Sequence, residues 1–362
     1  MNSKERVKAA LAREAVDRVP IWMWYHPETV RGLAAFLEVP EDRVADALGD
    51  DIRQRWVGNN YAMEGIVHER DGEGHIDDWG IEWVKDGPFN QIRSYPLARA
   101  TEDEIAGYRY PYERADALLG QMDAILAQGE QRFSGCDVSP CLFEMICRLR
   151  GMEEAALDLG ARPRIAETML QAAERFSVHL AVMACERYPI DWLWTGDDVG
   201  GQEAMVMSPR CWRKMIAPHL ARIVAVGKRQ GLPVAYHSCG TIRPIIPDLI
   251  AMGVDVLNPI QSNCPGMAPD ELAREFGREL AFMGGVDTHA LLPRGSVAEV
   301  YDATRRLIDV MTQHGGGYIL AASHAVPPET PIENILAMYA AAGEPREAIM
   351  DRAAAVRRAV VA

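Results

Sequence analysis

Eight short apolar runs, each trailed by a helical pattern and each ending in polar residues, predict an α/β fold, a TIM (β/α)8 barrel. Strands that alternate with helices of ten to fifteen residues call for a parallel sheet. Eight such units are the number that closes a barrel. An open doubly wound sheet needs no closure, but the chain carries no Gly-x-Gly-x-x-Gly fingerprint to favour it. No low-complexity linker interrupts the 362 residues, so a single domain over 1–362 is expected.

The elements follow in order. Residues 3–15 read as an N-terminal helix, with Ser3 as cap and Val7 and Leu11 on one face, stopped by Asp17-Arg18-Val19-Pro20. The first strand is 20–24, followed by helices at 29–37 and 41–48, and the second is 52–57. Between 75 and 95, Trp79, Ile81 and Trp83 alternate before a Gly-Pro turn. This pattern predicts a β-hairpin inserted outside the repeat. Thr101-x-x-Glu104 is a capping box that opens a helix. The third strand is 132–138, with helices at 141–149, 152–159 and 163–188 behind it. The fourth is 190–194, followed by one helix over 209–230. Strands five to eight are 234–237, 254–258, 280–284 and 317–321. A helix over 297–314 precedes the last strand, and helices over 330–342 and 347–360 close the chain.

Composition narrows the function classes. With 48% hydrophobic and 25% charged residues the chain can bury a large core. A net charge of −14 with no Lys/Arg-rich run argues against nucleic acid. No apolar stretch approaches the roughly 20 residues that span a bilayer. The N-terminus is polar and amphipathic and does not read as a signal peptide, so a cytoplasmic protein is expected. Seven cysteines without framework spacing favour free thiols, or a metal, over disulfides.

In parallel α/β folds chemistry gathers at the carboxyl ends of the strands. His237 and Cys239 stand at such an end, two residues apart, so both can face one point, and both are good zinc donors. His324, at the end of strand eight, is the expected third ligand. Gln261, after strand six, is either a fourth ligand or an amide that orients His237. Cys264 could instead complete a Cys₂His set. Asp197, Asp198 and Asp287 are candidate catalytic acids or bases; of the adjacent pair, only one carboxylate can enter the basin. Trp24, Tyr25, Trp194 and Gln202 are candidate substrate-binding residues, the rings suiting a flat apolar compound.

These stretches carry a family resemblance. Asp17–Pro20, Gly196–Trp212, His237–Gln261, Phe282–His289 and Gly315–Tyr339 resemble the uroporphyrinogen decarboxylase and methylcobamide:coenzyme M methyltransferase superfamily. The resemblance implies a TIM barrel, often a homodimer. It also divides into branches. The decarboxylases lack His-x-Cys and grip their substrate with an arginine after strand one, where this chain has Trp22-Met23-Trp24-Tyr25-His26-Pro27. The methyltransferases bind zinc through His-x-Cys and a later cysteine, matched here by His237, Cys239 and, in place of that cysteine, His324. The implied activity is zinc-dependent methyl transfer in one-carbon metabolism. A methyl group would move between methylcobalamin, carried by a corrinoid-binding partner protein or free, and a small thiol, tetrahydrofolate or methoxylated compound. The alternatives are a metal-independent decarboxylase or lyase that uses Asp197 or Asp198 with His324, and a non-catalytic binding protein of a corrinoid pathway.

Overall fold

The structure is a computed structural model that describes residues 1–59, 68–129, 131–313 and 317–361. Its strands are β1 (Ile52–Trp56), β2 (Gly74–Ile76), β3 (Glu82–Asp86), β4 (Phe89–Ser94), β5 (Phe133–Asp137), β6 (Trp192–Gly196), β7 (Val234–His237), β8 (Val256–Ile260), β9 (Ala281–Val286) and β10 (Tyr318–Ala322). The strands β2-β3-β4 form a separate antiparallel sheet, so the expected hairpin has a third strand. The other seven alternate with helices in chain order, and the fold is an α/β TIM barrel.

The chain packs as two compact units. One gathers Gln54–Gly129 and Ser134–Val254; the other gathers Met1–Arg53 and Asp255–Ala362 with a short stretch ending at Phe133.

In the first unit, β5, β6 and β7 pair in parallel. Every residue of β6 is buried, as expected of a strand covered on both faces. Trp192 fills the space beside β5 and donates its indole N–H to Gln54 at 2.9 Å. A Cβ on Gly135 would lie 2.0 Å from that indole nitrogen, so this position must be glycine. The β2–β4 sheet is anchored by Trp79, Ile81 and Trp83, all buried.

In the second unit, β8, β9 and β10 pair in parallel. The strand expected at 20–24 is present only as isolated bridges, Ile21 to Leu320 and Tyr25 to Val326. Pro20 has no N–H to donate, which contributes to this thin pairing. The segment is tied down by Asp51, which is fully buried. The Asp51 carboxylate accepts from Arg6 at 2.6 Å, Arg18 at 2.7 Å and the Ile21 amide at 2.9 Å. That accounts for Asp17-Arg18-Val19-Pro20: Asp17 holds Arg6 at 2.6 Å, and both arginines hold Asp51.

Three local expectations are corrected. Asn2, not Ser3, caps the first helix, forming a capping box with Glu5. The helix expected over 209–230 is two helices, Pro209–Met215 and Ala217–Arg229, because Pro218 removes a backbone donor inside the run. The helix expected over 297–314 is Val297–Thr312, and His314 lies outside the described residues. No helix among the described residues is long and apolar enough to cross a membrane.

Candidate metal centre

β6 and β7 run parallel with Gly196 opposite His237, so the loops that follow leave the sheet side by side. They interlock. A Cβ on Gly200 would lie 2.3 Å from the Cys239 carbonyl oxygen. One on Gly240, at φ +81°, would lie 2.6 Å from that of Gly201. The Thr241 amide donates to the Gly201 carbonyl at 2.8 Å, and the Val199 amide to the Ser238 hydroxyl at 3.2 Å. Only glycine lets two backbones approach this closely.

The interlock presses Asp198 against the His237-Ser238-Cys239 turn. Asp198 Oδ1 accepts the Cys239 amide at 2.8 Å and lies 3.7 Å from His237 Nε2. Cys239 Sγ is 3.5 Å from the same nitrogen. The three donor atoms all fall within 4.8 Å of one another. With metal–ligand bonds of about 2.0–2.3 Å, the edges of a tetrahedron are about 3.3–3.7 Å. The two separations at His237 match those edges, so an imidazole, a thiol and a carboxylate stand where one divalent ion would take all three. Asp198 is 41% exposed and His237 18%, which leaves the group open on one side.

The neighbouring side chains fix this group. The Trp194 ring lies 6.2 Å from the His237 ring and tilts 33° to it. Asp197 turns the other way, as adjacent side chains of an extended chain do. It is fully buried and accepts the Glu144 amide at 2.7 Å, at the start of the helix Phe143–Arg150. Burial pushes its carboxyl up to about 8, against the pull of that amide. Its second oxygen, Oδ2, has no hydrogen-bond partner among the described residues.

Glu144 and Arg148 were not among the expected site residues. They pair at 2.7 Å, one helical turn apart. Arg148 also donates to the Asn59 side chain at 2.8 Å and lies 5.7 Å from the centres of the Trp56 and Trp83 rings. Asp77 in turn accepts from Asn59 at 2.7 Å and from the Trp83 indole at 2.8 Å. Burial raises the pKa of Glu144; Arg148 opposes the rise and the Asp198 charge adds to it. The signal in the chain was a Glu and an Arg four apart within the otherwise apolar stretch 143–149.

The remaining candidates have these positions. Gln202 is exposed, and its carbonyl accepts the Thr241 hydroxyl at 3.5 Å. In the other unit, the rings of Trp24 and the exposed His324 lie 5.3 Å apart. The hydroxyl of Tyr25 meets that of Tyr339 at 2.9 Å. Asp287 accepts three backbone amides, those of His289, Ala290 and Leu291, and so caps a short helix. Gln261 and Cys264 are buried and joined by a backbone hydrogen bond of 3.0 Å. The donor cluster found among the described residues therefore takes Asp198, expected as an acid or base, as its third member, and His324 is not in it.

A family profile described as Uroporphyrinogen decarboxylase (URO-D) matches residues 141–345, more than half of the chain and the part that holds the donor cluster. The chain belongs to the uroporphyrinogen decarboxylase family. A Thermus thermophilus protein named Uroporphyrinogen decarboxylase is 25% identical over 175 residues, 48% of this chain and 45% of that one. A Methanosarcina mazei protein named Methylated-thiol--coenzyme M methyltransferase is 24% identical over 236 residues, 64% of this chain and 59% of that one. The chain spans about half the length of the curated relatives it matches. Among solved structures, a methyltransferase from Methanosarcina mazei superposes with a TM-score of 0.71 over 95% of this chain and 99% of its own, at 18% identity, a likeness of fold. This member of the family thus combines the shared barrel with a nitrogen, sulfur and oxygen donor set.

Proposed function

We propose that the protein is a zinc-dependent methyltransferase that moves a methyl group between a corrinoid, carried by a partner protein, and a small molecule. The observation that carries this reading is the donor set: an imidazole whose separations from a thiol and a carboxylate both match tetrahedral edges, all three donors within 4.8 Å and open on one side. Three protein ligands and an open position are the arrangement of a catalytic rather than a structural zinc. His237, Cys239 and Asp198 would hold the ion. Bound zinc lowers the pKa of a coordinated acceptor and so supplies a nucleophile at neutral pH.

The chain's own residues do the rest. The Cys239 amide fixes the Asp198 carboxylate, and Trp194 packs against the His237 ring and limits its rotation. Glycines 200, 201 and 240 keep the two loops in contact, so the three donors are preorganised before any ligand arrives. Decarboxylation without a metal is the weaker reading. It gives no role to a thiol and an imidazole 3.5 Å apart. In the proposed reading the protein works in the cytoplasm, as a homodimer.

The test is methyl transfer with purified protein. Methylcobalamin, added thiol and stoichiometric zinc should give loss of the methyl–cobalt absorption and a methyl thioether product. Both should fail in His237→Ala and Cys239→Ala. Equal turnover after exhaustive chelation would reject the reading.

A further inference from the structure

The second unit holds a cleft lined by none of the donor residues. Its volume is about 380 Å³, and it opens between the start of the helix Pro269–Phe276 and the helix Val297–Thr312, beside the end of β9. That size suits a small metabolite. Val286, Leu291, Leu307 and Val310 give it an apolar body. Gly285 lines it from the strand. Its φ is +104°, and a Cβ there would lie 2.9 Å from the Leu307 side chain, so only a bare backbone leaves Leu307 in place.

The polar side chains in the wall fall into two groups. Ser262 and Asp287 are satisfied. The Ser262 hydroxyl donates to the Gly285 carbonyl at 3.3 Å. Asp287 accepts the His289 amide on one oxygen and the Ala290 and Leu291 amides on the other. Thr304, Arg306 and Asp270 are not. Thr304 is 1% exposed, and its hydroxyl has no hydrogen-bond partner among the described residues. A threonine inside a helix ordinarily donates to the carbonyl one turn back, and this one does not. Arg306 and Asp270 are exposed, stand on different helices, and pair neither with each other nor with any other described residue.

Helix geometry orders these groups. At 3.6 residues per turn, Ala303, Leu307 and Val310 share one face, with Thr304 on one flank and Arg306 on the other. Burial shows that the Thr304 flank is the deep one. The two charges therefore lie at the mouth and the hydroxyl at the base. A ligand that answers all three carries an anion for Arg306 and a cation for Asp270 at one end, an apolar body, and a hydrogen-bonding group at the other end. A simple carboxylate leaves Asp270 unmatched, and a simple amine leaves Arg306 unmatched.

We propose that this cleft binds a free α-amino acid whose apolar side chain ends in a hydrogen-bonding group. The α-carboxylate meets Arg306, the α-ammonium meets Asp270, and the end of the side chain meets the Thr304 hydroxyl. The site shares no residue with the donor cluster and stands whether or not the protein transfers methyl groups.

L-tyrosine is the probe, with binding to the full chain read by ligand-observed NMR titration. Three analogues each delete one contact: L-phenylalanine lacks the hydroxyl, tyramine the carboxylate, and 3-(4-hydroxyphenyl)propionate the ammonium. The proposal predicts saturable tyrosine binding that each deletion weakens about fivefold or more. Arg306→Gln, Asp270→Asn and Thr304→Val should each weaken tyrosine by a similar factor. Each should leave unchanged the affinity of the analogue that already lacks the matching group. Arg306 and Asp270 are exposed, so their variants test the site without disturbing the core. No saturable binding of tyrosine, or tyrosine binding indifferent to both Arg306→Gln and Asp270→Asn, would overturn the proposal.

Discussion

Asp51 and Asp198 are both acidic residues beside a barrel strand, and they are treated in opposite ways. Asp51 is fully buried and gripped by two guanidinium groups, Arg6 at 2.6 Å and Arg18 at 2.7 Å. Asp198 is 41% exposed and meets a backbone amide, an imidazole and, through the same turn, a thiol. A buried carboxylate matched by arginines holds the fold. A half-exposed carboxylate set among soft donors is arranged for something the chain does not itself provide. The difference lies in which partner was placed beside the acid.

Breaking the matched site should have the largest effect on stability. Asp51→Ala leaves two guanidinium groups facing a buried gap and should cost about 3–5 kcal/mol, measured by urea unfolding. The folded fraction should still take up zinc normally. Loss of zinc binding in that fraction would mean the two sites are not independent.

Gly200→Ala comes next. Its Cβ must displace the Cys239 carbonyl, which would lie 2.3 Å away. The expected cost is about 1–3 kcal/mol, with a clear loss of zinc affinity because the two loops part. An unchanged affinity, measured by competition with a chromophoric chelator, would show that the interlock does not set the donors.

A pH experiment sharpens the comparison from a third acid. Asp50, next to Asp51, is buried and accepts the Tyr339 hydroxyl, and burial raises its pKa from 3.8 to about 7 against the opposing pull of the Arg53 charge and that hydroxyl. The unfolded chain ionises this group first, so the stability it contributes is fully present below about pH 4 and is lost as pH rises towards 7. Asp50→Asn should flatten that part of the stability–pH curve. Asp17, held down from 3.8 mainly by its hydrogen bond to Arg6, has the opposite sign: its contribution is present above about pH 4 and is lost on acidification.

The smallest stability effect belongs to Asp198→Asn. The amide can still accept from Cys239, so the change should fall within about 0.5 kcal/mol. Zinc affinity should nevertheless drop by at least the roughly 10–100-fold that losing an outer partner of a metal ligand costs, read by the same chelator competition.

Much of this was legible in the chain. Seven of the eight expected strands appear as strands, because fully buried parallel strands leave continuous apolar runs such as Val234-Ala235-Tyr236. His237 and Cys239 stood out because both are zinc donors at the carboxyl end of a strand, followed by a glycine, where parallel α/β folds gather their chemistry. Other features were hidden for physical reasons. The strand Gly74–Ile76 is too short to show alternation. Two adjacent aspartates do not reveal which one turns inward; that depended on Asp197 capping the helix Phe143–Arg150. Glu144 and Arg148 were not legible as site neighbours, because spacing along a helix does not report that Arg148 will lie against Trp56 and Trp83.

The most direct test of the central claim is X-ray absorption at the zinc edge on protein reconstituted with the metal. The account predicts one zinc per chain with a single sulfur neighbour at about 2.3 Å and nitrogen or oxygen donors at about 2.0–2.2 Å. The sulfur shell should disappear in Cys239→Ala. Failure to bind zinc, or a shell with two sulfurs that survives Asp198→Asn unchanged, would contradict it.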